Sequence, residues 1–308
     1  MATRRVTAAI VGVIAAVAVT GASNSVAFAA EPVDPANAPS QVVLEVDERV
    51  RANYLLDSRV TVVVAPADYN GKISAIRGGE EIASSIAANG QAELSIPAEK
   101  LGSLRVRIVA ADAPGFTGTA VPILMVSSGV RLRKGDRHPV VPKLVQHLSK
   151  SKYLVPQAGK RYSPAVSDVV MAFQKVHNLP RTGQMNRQTW QKLAKSGRVQ
   201  PRYRGKGIHL EVDKTRQIMM LVRNGKVRAT LHVSTGKTGN TPEGRYPIFA
   251  KGIGSLYRFM SFKGNFGIHG YVPVPAQPAS AGCVREPMWA ADWFYNRTPI
   301  GASIYIYR

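Results

Sequence analysis

The 308-residue chain has a single cysteine, Cys283, which excludes an intramolecular disulfide. Acid is scarce: 19 Asp and Glu stand against 41 Lys and Arg, a formal net charge of +22. There is no glycine-rich phosphate loop, which removes the nucleotide-binding folds built on one. His138, His147, His177, His209 and His232 do not recur at a metal-ligand spacing with a carboxylate, so a zinc peptidase is the poorer enzyme hypothesis. The sequence calls for neither metal nor cofactor. Beyond the amino terminus, no apolar run approaches the roughly 20 residues that cross a bilayer. Met219, Met220 and the tryptophans are expected in cores rather than against a cofactor.

What is present begins with an export signal. Arg4 and Arg5 precede the apolar run "AAIVGVIAAVAV", and "AFA" ends at Ala29, so residues 1–29 have the parts of a secretory signal peptide. The alternative, a membrane anchor, needs a longer run, and polar residues interrupt this one from Thr20 onward. The chain is therefore expected to be exported to the wall or beyond, with maturation near Ala30. An unpaired thiol in that setting is open to oxidation, and a protein that keeps one is expected to use it. The competing explanation is a small buried apolar residue. Against it stand the neighbours Ala281, Gly282 and Arg285 in a turn-like stretch.

Composition shifts along the chain and divides it into three domains after the signal. Residues 30–125 read as a β-sandwich-like spacer, because "QVVLEV", "VTVVVA", "QAELSI", "LRVRIV" and "PILMV" alternate apolar and polar residues between turn sequences, as antiparallel strands do. Residues 31–125 hold 8 basic and 12 acidic residues, and no titratable cluster marks them for chemistry.

Residues 126–205 carry 17 basic residues against Asp136 and Asp168 alone. Val141, Leu144, Val145 and Leu148 predict one helix, and Ser163 as N-cap with Pro164 in the first turn predicts a second. A third is expected from about Asn186 through Trp190 and Leu193 to Gly197. The charge calls for a polyanion and raises nucleic acid as a partner. Export sets nucleic acid aside and leaves anionic wall polymers or lipid headgroups, the alternative being a solvated face that aids solubility. The stretches "LRKGDRHPVVPKLVQHLSKSKYL" and "AVSDVVMAFQKVHNLPRTGQMNRQTWQKL" resemble the peptidoglycan-binding domain found beside many bacterial wall enzymes. That resemblance implies binding to peptidoglycan glycan. It departs from the usual pattern at "VPQAGKRYSP", where family members carry an acidic residue and glycines.

Residues 206–308 read as mostly β. Asn224-Gly225 between apolar runs is a hairpin signal, "RYPIFAK" and "SIYIYR" are strand-like, and a short helix is expected near "MWAADWFY". His269 precedes Cys283 by 14 residues. An imidazole near a thiol can take its proton or hold the thiolate, and backbone N–H groups around Gly282 and Cys283 can stabilise a tetrahedral oxyanion. A structural histidine is equally compatible with that spacing. The "IHG" at 268–270, the run Ser280-Ala281-Gly282-Cys283-Val284-Arg285 and the upstream "TPEG" at 241–244 resemble the catalytic domain of L,D-transpeptidases.

That resemblance implies a mainly β fold and a set of roles. Cys283 is the nucleophile on a peptidoglycan stem tetrapeptide, and His269 is the base. Gly282 joins Cys283 as oxyanion donor, Ser280 shapes the loop, and Arg285 and Gly270 contact substrate. It further implies release of D-Ala, cross-linking by an acceptor amine, and covalent inhibition by carbapenems. Family members usually carry histidine where this chain has Ala281. Two alternatives stay open: an L,D-carboxypeptidase with the same nucleophile, and a catalytically weakened wall-binding protein.

Overall fold

The structure, a computed structural model, describes residues 5–8 and 38–308. The expected signal peptide lies outside the described residues except for Arg5–Ala8, a strand paired antiparallel with residues 44–47. No helix among the described residues is long and apolar enough to cross a membrane. Contacts divide the chain into two units, Met1–Ser128 and Gly129–Arg308.

In the first unit, alternate residues of Asp57–Ala65 and Gln91–Pro97 are buried, the period of a sheet with one wet face. One sheet runs Arg5–Ala8, Val43–Asp47, Asp57–Ala65, Gln91–Pro97; a second runs Arg49–Asn53, Thr119–Ser128, Gly102–Ala110, Lys72–Arg77, Glu80–Ile86; and Phe116–Thr117 pairs with Ser40–Gln41 in a small third. Leu44, Val62, Leu94, Ile108 and Ile123 share one buried core, so the unit is a β-sandwich. The expectation of antiparallel strands needs correction at two places, because residues 124–128 pair in parallel with Arg49–Asn53 and Phe116–Thr117 with Ser40–Gln41. Each pairing joins strands far apart in sequence, which local turn signals do not report. Strands "KISAIR" and "EEIASSI" also escaped the apolar alternation, since small and polar residues fill them.

The second unit holds a helical module and a β domain. Helix α1 (Val140–Lys150) buries Val141, Leu144, Val145 and Leu148. Helix α2 (Pro164–Val176) starts as its cap dictates, with Ser163 Oγ accepting from Val166 N and Pro164 in the first turn. Helix α3 (Arg187–Leu193) is shorter than predicted: Ala194 is its C-cap, and Ser196 Oγ donates to the Leu193 carbonyl before Gly197 is reached. Trp190 anchors the module, 1% exposed, with Nε1 donating to the Val130 carbonyl at 2.7 Å.

The β domain has two sheets. The first is ordered Lys226–His232, Ile218–Arg223, Ile208–Asp213, Ser303–Tyr307, Gly244–Pro247; the second is ordered Ala250–Lys251, Met260–Lys263, Phe266–Tyr271, Val284–Pro287. Asn224 and Gly225 have φ of 51° and 69°, the left-handed pair that a tight hairpin demands. Helix α4 (Met288–Arg297) presents Phe294 to the core that both sheets share, with Trp289 and Trp293 packed beside it.

Four histidines in this unit lose basicity through burial: His147, His177, His232 and His269 all lie below the ordinary 6.5. His177, packed 4.4 Å from the Phe173 ring, falls to about 4. In the unfolded chain these groups protonate near 6.5, so between that value and about 4 the unfolded state binds more protons. Stability is therefore expected to fall as pH drops through this window and to be insensitive to these groups above it. Thermal unfolding from pH 8 to 4 checks this, and His177→Leu should flatten part of the acid slope.

Candidate active site

The site is built on a parallel strand pair. In Phe266–Tyr271 and Val284–Pro287 the rungs are Ile268 to Val284, His269 to Arg285, Gly270 to Glu286 and Tyr271 to Pro287. Side chains alternate across a sheet and rung partners share a face. His269, Arg285 and Tyr271 therefore stand on one face, and Cys283 lies in the bend that leads into Val284. Ile268 and Val284 face the core on the other side.

His269 is buried, and its Nδ1 lies 3.0 Å from the Gly270 carbonyl. Donation from Nδ1 to that carbonyl leaves Nε2 as the basic nitrogen. Burial lowers its pKa first, the Arg285 charge lowers it further, and the Gly270 bond partly opposes both. The imidazole is thus neutral at pH 7, the form a general base needs. The Cys283 thiol is half-buried and points at the Asn265 carbonyl, 3.8 Å away, and it makes no hydrogen bond to His269.

The nucleophile loop is fastened through its backbone. Ser280 Oγ accepts from Gly282 N at 3.0 Å and donates to the Cys283 carbonyl. Asn240 Nδ2 donates to the Ala281 carbonyl and Thr241 Oγ1 to the Gly282 carbonyl, both at 2.7 Å. Thr241 is the first residue of "TPEG", so that motif acts as the loop's tether. The Thr235 carbonyl takes the N–H groups of Ala279 and Ser280 at 2.9 and 3.0 Å. Gln217 fixes Thr235 in turn, its amide nitrogen donating to Oγ1 at 2.7 Å and its oxygen accepting from N at 2.8 Å.

Of the two backbone donors expected for an oxyanion, Gly282 N–H is thus engaged by Ser280, while no group among the described residues accepts the Cys283 N–H. Gly270, expected to touch substrate, has both backbone groups occupied: its N–H donates to the Tyr257 carbonyl at 2.8 Å and its carbonyl faces His269 Nδ1. Arg285 donates from Nη1 to the Ala279 carbonyl at 3.1 Å and lies 4.2 Å from the Tyr271 ring centroid. Its Nε is buried without an acceptor among the described residues. On the reverse face Glu286 is fully buried, neither carboxyl oxygen has a partner among the described residues, and burial raises its pKa well above the usual carboxylate range. No group of three or more metal-ligating side chains occurs among the described residues. Sequence reasoning missed Asn240, Thr235 and Gln217; their signal is a backbone contact, which residue type does not advertise.

Gly282 has φ of +140°, and a Cβ there would lie 2.3 Å from Phe266 Cε1. Gly282→Ala should therefore displace the loop that carries Cys283. Since iodoacetamide can label only Cys283, labelling rate and circular dichroism together report the change. The rate is expected to shift severalfold in a folded protein.

Residues 207–306 match the family of L,D-transpeptidase catalytic domains, and residues 137–193 match the family of peptidoglycan binding domains. Among solved structures, an L,D-transpeptidase from Xylanimonas cellulosilytica is 28% identical, with 58% of this chain and 98% of that chain covered and a TM-score of 0.55. An L,D-transpeptidase from Stackebrandtia nassauensis is 24% identical over 57% of this chain and 95% of that one, with a TM-score of 0.37. One from Mycobacterium smegmatis is 12% identical over 88% and 99%, with a TM-score of 0.31. No curated protein matches the chain. The fold comparison rests on the first structure. The chain thus carries a catalytic domain of the L,D-transpeptidase family, preceded by a peptidoglycan-binding domain.

Proposed function

We propose that this protein is an exported, cysteine-dependent L,D-transpeptidase that forms or remodels peptidoglycan cross-links. The observation that carries the proposal is the pairing of His269 with Arg285, two residues from Cys283, with a neutral imidazole and an open Cys283 N–H. In the first half-reaction the sulfur turns from Asn265 and gives its proton to His269 Nε2. It then attacks the carbonyl carbon of the third stem residue. The Cys283 N–H donates to the oxyanion, the carbon–nitrogen bond to D-Ala breaks, and the imidazolium returns its proton to the departing amine. In the second, a side-chain amine of a neighbouring stem gives a proton to neutral His269 as it attacks the thioester, the carbon–sulfur bond breaks, and the proton returns from His269 to the released Cys283 thiolate. The half-buried Arg285 guanidinium is the contact for a substrate carboxylate. Cleavage after Ala29 removes the strand Arg5–Ala8 and leaves Val43–Asp47 as a sheet edge.

The helical module supplies the wall contact. Arg131, Lys134, Lys143 and Lys160 are among its exposed cations, and anionic wall polymers are the partners such a surface attracts. Sedimentation with purified sacculi should weaken as salt rises, and Lys134→Gln with Lys143→Gln and Lys160→Gln should lower it further. Equal sedimentation of the variant would return these residues to a solvated face.

A carbapenem added to the mature protein is expected to add its mass once, and Cys283→Ala should abolish the adduct. Because neutral His269 is the active form, acylation should fall as pH is lowered through its depressed pKa, below 6.5. An unmodified wild-type protein would overturn the enzyme assignment. Incubation with disaccharide tetrapeptide separates the remaining choices: dimer marks transpeptidation, trimmed tripeptide marks carboxypeptidation, and unchanged substrate marks a wall-binding protein.

Ala281 bears on rate. Its side chain is exposed and its carbonyl is already held by Asn240, so a larger side chain leaves the loop trace intact. Ala281→His is expected to raise cross-linking about 10- to 1000-fold, the upper end being what one oxyanion donor is worth. Identical product curves for the two proteins would show that the backbone donor suffices.

A further inference from the structure

Three side chains of the helical module reach into the β domain, and each holds a different segment around Cys283. Arg181, in the turn after α2, forks. Its Nη1 donates to Gln277 Oε1 at 2.9 Å and to the Ala276 carbonyl at 3.3 Å, and its Nη2 donates to the Thr215 carbonyl at 2.9 Å. Residues 276 and 277 belong to the segment that leads into the nucleophile.

Lys175, on α2, is 1% exposed. Its Nζ donates to the Val233 carbonyl at 2.8 Å and lies 3.4 Å from His232 Nδ1. The next residue, Ser234, exchanges both backbone bonds with Arg285, at 2.9 and 3.0 Å, and donates from Oγ to the Gln277 carbonyl at 2.7 Å. Thr235 then holds Ala279 and Ser280. Asp168, also on α2, accepts from Trp289 Nε1 at 2.9 Å and lies 3.4 Å from His232 Nε2. Trp289 is on α4, directly after the strand that Cys283 leads into. The segment entering the nucleophile, the strand beside it and the helix leaving it are each tied to the module.

A free-standing binding domain has no need of buried charge in its neighbour. Sequestering an ammonium costs several kcal/mol unless its hydrogen bonds are supplied, and a guanidinium fork fixes its acceptors in one plane. We propose that the peptidoglycan-binding module is a working part of the catalytic scaffold, with Arg181, Lys175 and Asp168 as positioning residues for the loop that carries Cys283. This rests on the transpeptidase proposal for its consequence in rate and on geometry alone for its consequence in loop order. Acyl transfer tolerates little misplacement, since a shift of about 1 Å can cost on the order of 100-fold.

The experiment uses the full chain as wild type, Arg181→Ala, Arg181→Lys and Gln277→Ala. Amide hydrogen exchange over residues 272–285 reads loop order, and the saturating rate of carbapenem acylation reads positioning. Arg181→Ala is expected to lose protection in that segment and to acylate about 10- to 100-fold more slowly, with sacculus binding unchanged. Arg181→Lys, which keeps one donor arm, should recover part of the rate. Gln277→Ala removes one acceptor from the far side and should give a smaller loss in the same direction. Wild-type protection in Arg181→Ala would overturn the proposal whether or not the wild type is acylated. Lost protection at an unchanged rate would overturn the positioning role. A wild type that is never acylated yet loses loop protection with Arg181→Ala would remove the enzyme assignment and keep the clamp.

Discussion

The site depends on one parallel rung, His269 opposite Arg285. Parallel neighbours cannot be joined by a tight turn; the chain has to cross over, usually through a helix that packs on the sheet and stiffens the connection. Here the connection from Tyr271 to Val284 has no helix. The register that sets His269 opposite Arg285, two residues from Cys283, thus also creates an irregular segment, with Cys283 at its end, and that segment needs its order from elsewhere. Thr235, Asn240, Thr241 and Ser280 supply hydrogen bonds to its backbone, and Gly282 lets it pass Phe266.

The electrostatics follow from the same strand pair. On one face, His269 is held neutral by burial and by the Arg285 charge, and its orientation is set by the carbonyl of the next residue. On the other, burial pushes the Glu286 carboxyl well above the usual carboxylate range, three residues along from Cys283. Nearby, the buried Glu211 side chain accepts from Arg202 N, Tyr203 N and Tyr307 Oη at 2.8, 3.0 and 3.0 Å.

Much of this was legible in the sequence, and the division between what was and was not has a physical basis. Cys283 and His269 announce themselves because their chemistry is rare in the chain. Ser163, Pro164 and Asn224-Gly225 do so because caps and hairpins accept few residue types. The sandwich was readable from alternation, whereas its parallel pairs and its small-residue strands were not. At the site, the engaged N–H of Gly282, the open N–H of Cys283 and the occupied backbone of Gly270 could not be read, because hydrogen bonding of backbone groups is settled by the path of the chain. Arg181 and Lys175 were hidden differently: two cations among 17 in residues 126–205 look like surface charge until their acceptors are seen.

That basic region also explains why Asp168 matters. Residues 126–205 carry only two acids, so each is an exception to the composition around it. Asp136 accepts from Arg133 N at 2.9 Å and closes a turn. Asp168 has no such local duty; its oxygens face Trp289 and His232, both in the β domain. Its charge raises the pKa of the neighbouring Lys175 while burial and Arg181 lower it, so the aspartate offsets part of the cost of sequestering that ammonium. Where a charge bias strips nearly all carboxylates from a surface, one that stays at a domain boundary acts on what crosses the boundary. Here that is the lysine that holds Val233, one residue before the strand partner of Arg285.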